Sequence, residues 1–516
     1  MPISARLVSE RLAGSGELAL LDVREQGVHC RGHPFFACSA PLSRLEMMIA
    51  DLVPRRTAPV VLLDGGGEGL AERAAAKLQQ LNYSDVAVLE GGCAAWQVAG
   101  GELFSGVNVP SKAFGEFVEH HYRTPRIAPG ELKRLQEIKK VVVLDSRPYE
   151  EYHRMNIPGG IDVPGAELAY RIHDLAPSPD TLVVVNCAGR TRSIIGCQSL
   201  RNAGIPNPVV ALKNGTMGWQ LAGFACERGA ERVAPPPSAE GRKKAYAAAE
   251  RVMRRFGVRF CLSEEMRSWK KDAGRTLYLL DVRPREEFER LHLAGSRHAP
   301  GGQLVQATDE YVGVRNARVV LVDPDLVRAI MTASWLNQMG WNDVCVLEDA
   351  ELTETGPRKP RIPGTPPWQT VAAVPEDAAV LDLSTSLRFR QRHIPGAWWG
   401  VRSRLDDAKR NLPVSDFLIL TSEDAVLAHL AAPEAQALWP EAQVRVLEGG
   451  NAVWFAAGKP VESGVERATT TPDDVWYKPY DHASGFEKHA RDYLEWEVAL
   501  VEQIKRDPSI RWRLYD

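Results

Sequence analysis

Directly after the apolar run TLVVV, residues 186–196 read NCAGRTRSIIG. A lone thiol at the end of a buried-looking strand, followed by two arginines and the start of a helix, is an arrangement for nucleophilic chemistry. A free cysteine has a pKa near 8.5, so Cys187 is a poor nucleophile at neutral pH unless its anion is stabilised. The strand-to-helix turn can do this. The backbone N–H groups of Ala188, Gly189, Arg190, Thr191, Arg192 and Ser193 can curl round the sulfur as an anion-binding nest at the positive end of the helix. Gly189 makes the curl sterically cheap, and Arg190 and Arg192 add charge that does not titrate away. The same charges suit an anionic substrate and its departing anion, so we take all six loop residues as candidate substrate contacts around a catalytic Cys187. The scheme needs a sulfur that solvent can reach. The duller alternative is a structural cysteine, and it is the reading for Cys197, which lies in the helical pattern. Cys30, Cys38, Cys93, Cys226, Cys261 and Cys345 have no charged loop and receive no role. No cysteine pair is spaced CxxC or set among histidines at zinc intervals, so neither a disulfide scaffold nor a metal is expected, and no organic cofactor is implied.

The elements that must position this loop are written four times. LLDVRE, VLDSRP, LLDVRP and VLDLST are short apolar strands carrying Asp22, Asp145, Asp281 and Asp382. Each unit has a second apolar strand, closing at Asp64, Cys187, Asp323 and Thr421; the interval from the first aspartate is the same in three units and three residues shorter in the fourth. A third strand runs on to glycines and a tryptophan, at Trp96, Trp219 and Trp454, while the third unit keeps the strand and loses both. Helical periodicity separates the second and third strands. Near-continuous Val/Leu strands alternating with helices predict an α/β class of four tandem units, each a small parallel sheet flanked by helices. The units are placed at 1–108, 125–230, 258–355 and 368–465, with proline- and charge-rich joints at APPPSAEGRKK and GPRKPRIPGTPPW. Residues 466–516 form a helical extension, in which DYLEWEVALVEQI is expected to clamp the domains.

Composition narrows the function classes. With 516 residues, 25% charged and a net charge of -3, the chain lacks the basic excess that nucleic-acid binding requires. It has no apolar run of membrane-spanning length and no apolar core of a signal peptide near its beginning, so we expect a cytoplasmic protein with neither nucleic acid nor membrane as partner.

With these motifs in place, the chain resembles the rhodanese (thiosulfate sulfurtransferase) family, as a tandem of four rhodanese domains of which only the second keeps the catalytic loop. EEYHRMNIPGGIDVPG and FRQRHIPGAWW are similar to the family's acidic and aromatic segment leading to a His-Ile-Pro-Gly-Ala turn, with Asn156 in place of histidine in the second unit. The resemblance implies an enzyme whose cysteine takes a sulfane sulfur from a small anionic donor, holds it as a persulfide, and passes it to cyanide, a thiol or a protein. It also implies that Asp64, Asp323 and Thr421, at the cysteine's place, leave the other units inert, walling the site. Asp145 and Arg147 recur in units without a thiol and are read as structural. Related phosphatases and arsenate reductases place arginine after cysteine and five residues; here Arg192 follows after four, a smaller ring suited to one sulfur atom. Thiosulfate is the donor that paired arginines would grip. A mercaptopyruvate-type enzyme would carry small neutral loop residues, and a glutathione persulfide donor stays open. The alternative to an enzyme is an interaction scaffold or persulfide carrier and sensor with little turnover.

Overall fold

The computed structural model describes residues 1–138, 140–359, 362 and 368–515. The joint expected at residues 356–368 lies largely outside them.

Four parallel sheets follow one another along the chain with one strand order. In the second unit the order is Arg126–Ile127, Val209–Leu212, Leu182–Asn186, Val141–Asp145, Ile161–Asp162. Leu182–Asn186 is the centre strand, buried along its whole length, as a β-branched run covered on both faces must be. Its register, Val185 beside Leu144 and Asn186 beside Asp145, brings the end of the aspartate strand level with the residue before Cys187. The fold is therefore the tandem α/β architecture expected from the repeats.

The helices between units depart from the expectation. APPPSAEGRKK is only partly a joint: its charged half opens the 17-residue helix Ala239–Arg255, capped by Ser238 Oγ on Gly241 N–H at 2.9 Å. Residues assigned to no unit form a second long helix, Val109–Tyr122. Ala239–Arg255 packs on Glu167–Leu175 of the second unit and Val327–Gln338 of the third. One apolar core consequently runs without a break through the first three units, while the fourth keeps a core of its own.

Further contacts join the units. Val314–Arg315, from the third unit, adds antiparallel to Leu18–Asp22 of the first, and Tyr278 Oη donates to the Leu52 carbonyl at 2.5 Å. Arg402 of the fourth unit grips Glu46 of the first through both carboxylate oxygens at 3.0 and 2.9 Å. The helix of the extension spans Phe486–Gln503, starting earlier than the periodic stretch suggested, and packs on Val109–Tyr122. No described helix is long and apolar enough to cross a membrane.

Candidate active site

Cys187 stands where the centre strand of the second unit gives way to the helix Thr191–Asn202. That helix begins without a side-chain cap, which leaves N-terminal amides for whatever sits at the cysteine's position. The units without a cysteine at this position show what such amides hold. Asp64 accepts from the N–H groups of Gly66, Leu70 and Ala71 at 2.9, 3.1 and 3.2 Å. Asp323 accepts from Arg328 N–H at 2.8 Å and Ala329 N–H at 3.4 Å. In both, a carboxylate takes up amides at the helix start, at the position where the second unit carries a thiol. Thr421 instead donates to Asn451 Oδ1 at 2.9 Å.

The loop is fixed from below and from the side. Asp145 and Arg147 form a buried two-point ion pair, Nε to Oδ1 at 2.8 Å and Nη2 to Oδ2 at 2.7 Å, and Arg147 also donates to the Met155 carbonyl at 2.6 Å. Asn186, next to the thiol, donates to Asp145 Oδ2 at 2.9 Å. Asp22 with Arg24 and Asp281 with Arg283 repeat the pair in units without a cysteine at the loop position, which is the behaviour of a brace. From the side, the N–H groups of Thr216 and Met217 donate to the carbonyls of Cys187 and Ala188 at 2.8 and 2.9 Å. This approach requires Gly215: at φ +55°, a Cβ would lie 2.3 Å from the Cys187 oxygen.

Around the sulfur, the thiol donates to Ser193 Oγ at 3.5 Å, and Ser193 Oγ donates to the Arg190 carbonyl at 2.8 Å. Thr191 Oγ1 donates to Glu497 Oε1 at 3.1 Å. The two arginines divide. Arg192 donates to both oxygens of Glu151 at 3.1 and 2.8 Å and to Gln303 Oε1 at 3.1 Å, and lines a cavity of about 270 Å³ together with Ala188 and Met217. Burial pushes the Glu151 carboxyl up, but Arg192 and then Lys478 outweigh it and hold it at about 2.

Arg190 is placed differently from the expectation. Nε and Nη2 bond the two oxygens of Glu116 at 2.7 and 2.6 Å, Nη2 also reaches Glu119 at 2.5 Å, and Nη1 reaches Asn214 Oδ1 at 3.1 Å. Its donors are spent on the helix Val109–Tyr122 and on Asn214, and it lines a different groove, with Glu116, Glu119 and Lys213.

A second departure concerns access. Cys187 is 2% exposed, out of solvent contact rather than at an open mouth. The C-terminal helix, which the repeat pattern could not place, packs over the residues that follow the thiol. Leu494 and Ala490 pack on Ala188 and Met217. A Cβ on Gly189 would lie 3.1 Å from both Glu497 Oε2 and Tyr493 Cε1. Tyr493 donates to Glu497 at 2.8 Å and accepts from Lys112 Nζ at 2.7 Å, tying the tail to the helix Val109–Tyr122. Burial, then the Glu497 charge, pushes the Tyr493 hydroxyl well above its ordinary value.

Sequence reasoning missed much of the cavity wall, including Gln26 and Asn108 before the second unit, Gln303 and Glu310 from the third, and Lys478 and Tyr480 from the tail. The one sequence signal for the tail residues is the aromatic-rich, aperiodic WYKPY, residues 476–480. Cys197 is core, as read, with burial pushing its thiol up to about 12. Among the described residues no cluster of His, Cys, Asp and Glu could hold a metal ion.

A model of the rhodanese-like domain matches residues 4–99, 128–222 and 263–350. The fourth unit is outside that match, although its sheet has the same strand order. Among solved structures, a thiosulfate sulfurtransferase from Pseudomonas aeruginosa is 46% identical, with all of each chain covered and a TM-score of 0.95. An HTH-type transcriptional regulator of Mycobacterium tuberculosis is 36% identical over 104 residues, 20% of this chain and 45% of the regulator. The chain thus spans less than half the length of that relative.

Proposed function

The chain belongs to the rhodanese-like family, and on that premise we propose that it is a sulfurtransferase that takes the sulfane sulfur of thiosulfate onto Cys187. The observation that carries this reading is the position of Cys187: it stands at the uncapped start of a helix, where Asp64 and Asp323 in two sister units accept hydrogen bonds from the backbone amides. A site that holds a carboxylate in the first and third units is suited to hold a thiolate, or the terminal sulfur of a persulfide, in the second. The full-length similarity to a thiosulfate sulfurtransferase supports the choice of donor.

In this reading the thiolate of Cys187 attacks the outer sulfur of thiosulfate. The sulfur–sulfur bond of the donor breaks, and sulfite leaves with its electron pair. The enzyme persulfide is then attacked at its terminal sulfur by cyanide, giving thiocyanate, or by a thiolate, giving a new persulfide; either way the Cys187 thiolate returns. Amides at the helix start, including those of Arg192 and Ser193, stabilise the negative sulfur in both half-reactions. The second unit, residues 125–230, does the chemistry, and the units at 1–108, 258–355 and 368–465 are inert. Eight free cysteines fit a reducing compartment such as the cytoplasm.

The burial of Cys187 favours one alternative, a persulfide carrier with little turnover. Steady-state thiocyanate formation from thiosulfate and cyanide separates the two. Sustained turnover, abolished in Cys187→Ser, is expected; a single stoichiometric burst would assign the carrier, and activity surviving in Cys187→Ser would remove Cys187 from the reaction.

A further inference from the structure

The cavity in front of the loop has more cations than the loop supplies, and they are not equally free. Arg190 is committed to Glu116, Glu119 and Asn214 and lies outside the cavity lining. Lys112 is spent on the Tyr493 hydroxyl at 2.7 Å and on Glu497 at 3.4 Å. Arg192 lines the cavity but shares its guanidinium between Glu151 and Gln303. Lys478 differs from all three. Its ammonium comes no closer than 3.8 Å to Glu151 Oε1 and stands 5.9 Å from the Tyr480 ring, and its side chain keeps 43% of its exposure.

The backbone that carries Lys478 is nevertheless well held. Its N–H donates to Asp481 Oδ2 at 3.2 Å, and Asp481 N–H donates back to the Lys478 carbonyl at 2.8 Å. Arg154 of the second unit holds Asp481 Oδ1 at 3.2 Å, and Gln26 of the first accepts from Trp476 N–H at 3.1 Å. A fixed turn thus presents an ammonium with no hydrogen-bonded carboxylate among the described residues, in the same cavity lining as Arg192.

We propose that Lys478, supplied by the C-terminal segment, is the specificity-determining residue that receives the anionic end of the sulfur donor, paired with Arg192 across the cavity. This deepens the reading of Cys187 as a thiosulfate-using thiol and rests on it. The sulfonate end of the donor lies between the two cations while its outer sulfur points to Cys187. A charge-assisted contact to a group that stays anionic through the reaction stabilises the bound donor and the transition state alike, so its loss moves KM more than kcat.

The test is steady-state kinetics of the full chain with thiosulfate as varied donor, for Lys478→Gln and Lys478→Arg. We expect the glutamine variant to raise the thiosulfate KM about tenfold, a loss within the range of one hydrogen bond to a charged group, with kcat within about twofold. The arginine variant restores most of the KM. Sulfate, as a dead-end anion competing with thiosulfate, loses affinity in the glutamine variant in parallel. An unchanged KM in Lys478→Gln, with wild type turning over and Cys187→Ser dead, overturns the role of Lys478 and leaves the Cys187 reading standing. A wild type that does not turn over thiosulfate overturns both. Equal falls in kcat for the glutamine and arginine variants, with KM unmoved, assign Lys478 to holding the tail and overturn the donor contact.

Discussion

Two arginines in one loop have opposite surroundings, and the consequence is testable at each. Arg190 is 6% exposed, and its partner Glu116 only 3%. Removing one member of a buried ion pair leaves the other charge unpaired in a poor solvent, at a cost of about 3 to 5 kcal/mol. Arg190→Ala is therefore expected to lower the stability of the chain by about that amount in denaturant unfolding, while the thiosulfate KM of the protein that remains folded changes less than in Lys478→Gln. Unchanged stability with a strongly raised KM would return Arg190 to the donor. Nothing in CAGRTR distinguishes the two arginines. Their difference comes from Glu116 and Glu119, which lie in a segment the repeat does not cover, and from Glu151, whose counterpart Glu287 grips Arg328 in the third unit at 2.9 Å. That recurrence marks the Arg192–Glu151 pair as part of the scaffold as well as of the cavity.

At the scale of elements, the cysteine loop is a strand end and a helix start pressed from outside by a second helix. Leu494, 7% exposed, is the side chain of Phe486–Gln503 that covers Ala188. Truncating it removes buried methyl groups and opens space over the loop, at a cost of about 2 to 5 kcal/mol. We expect Leu494→Ala to raise the rate at which iodoacetamide labels Cys187, read by peptide mass spectrometry under native conditions, several-fold over wild type. A labelling rate equal to wild type would mean that the thiol is reached by another route. The elements inside each unit were legible because strands buried on both faces must be apolar runs, and because the aspartate that ends one strand and the residue that ends the next keep their spacing. The helices Val109–Tyr122 and Ala239–Arg255 were not legible: they occur once each, so no repeat marks them, and the charge of the second resembles a joint. The thiol and its amide pocket could be read from the loop itself. The tail residues that close over it lie some 300 positions away in the chain, and only the folded chain joins them.

The whole molecule explains why one thiol is carried by four units. The first and third units contribute Gln26, Gln303 and Glu310 to the cavity wall, and the tail contributes Trp476, Lys478 and Tyr480. The fourth unit does not line that cavity; it is fastened to the first through Arg402 and Glu46, and the tail leaves from it. At the cysteine's position, the first and third units carry carboxylates that accept from backbone amides, and the fourth a hydroxyl that donates to Asn451. The account rests on sulfur being carried by Cys187 and by no other of the eight cysteines. Incubation of the intact protein with thiosulfate, followed by whole-protein and peptide mass spectrometry, tests this directly. The account predicts a gain of one sulfur atom on the peptide containing Cys187, discharged by cyanide and absent in Cys187→Ser; no gain, or a gain on another cysteine that persists in Cys187→Ser, would contradict it.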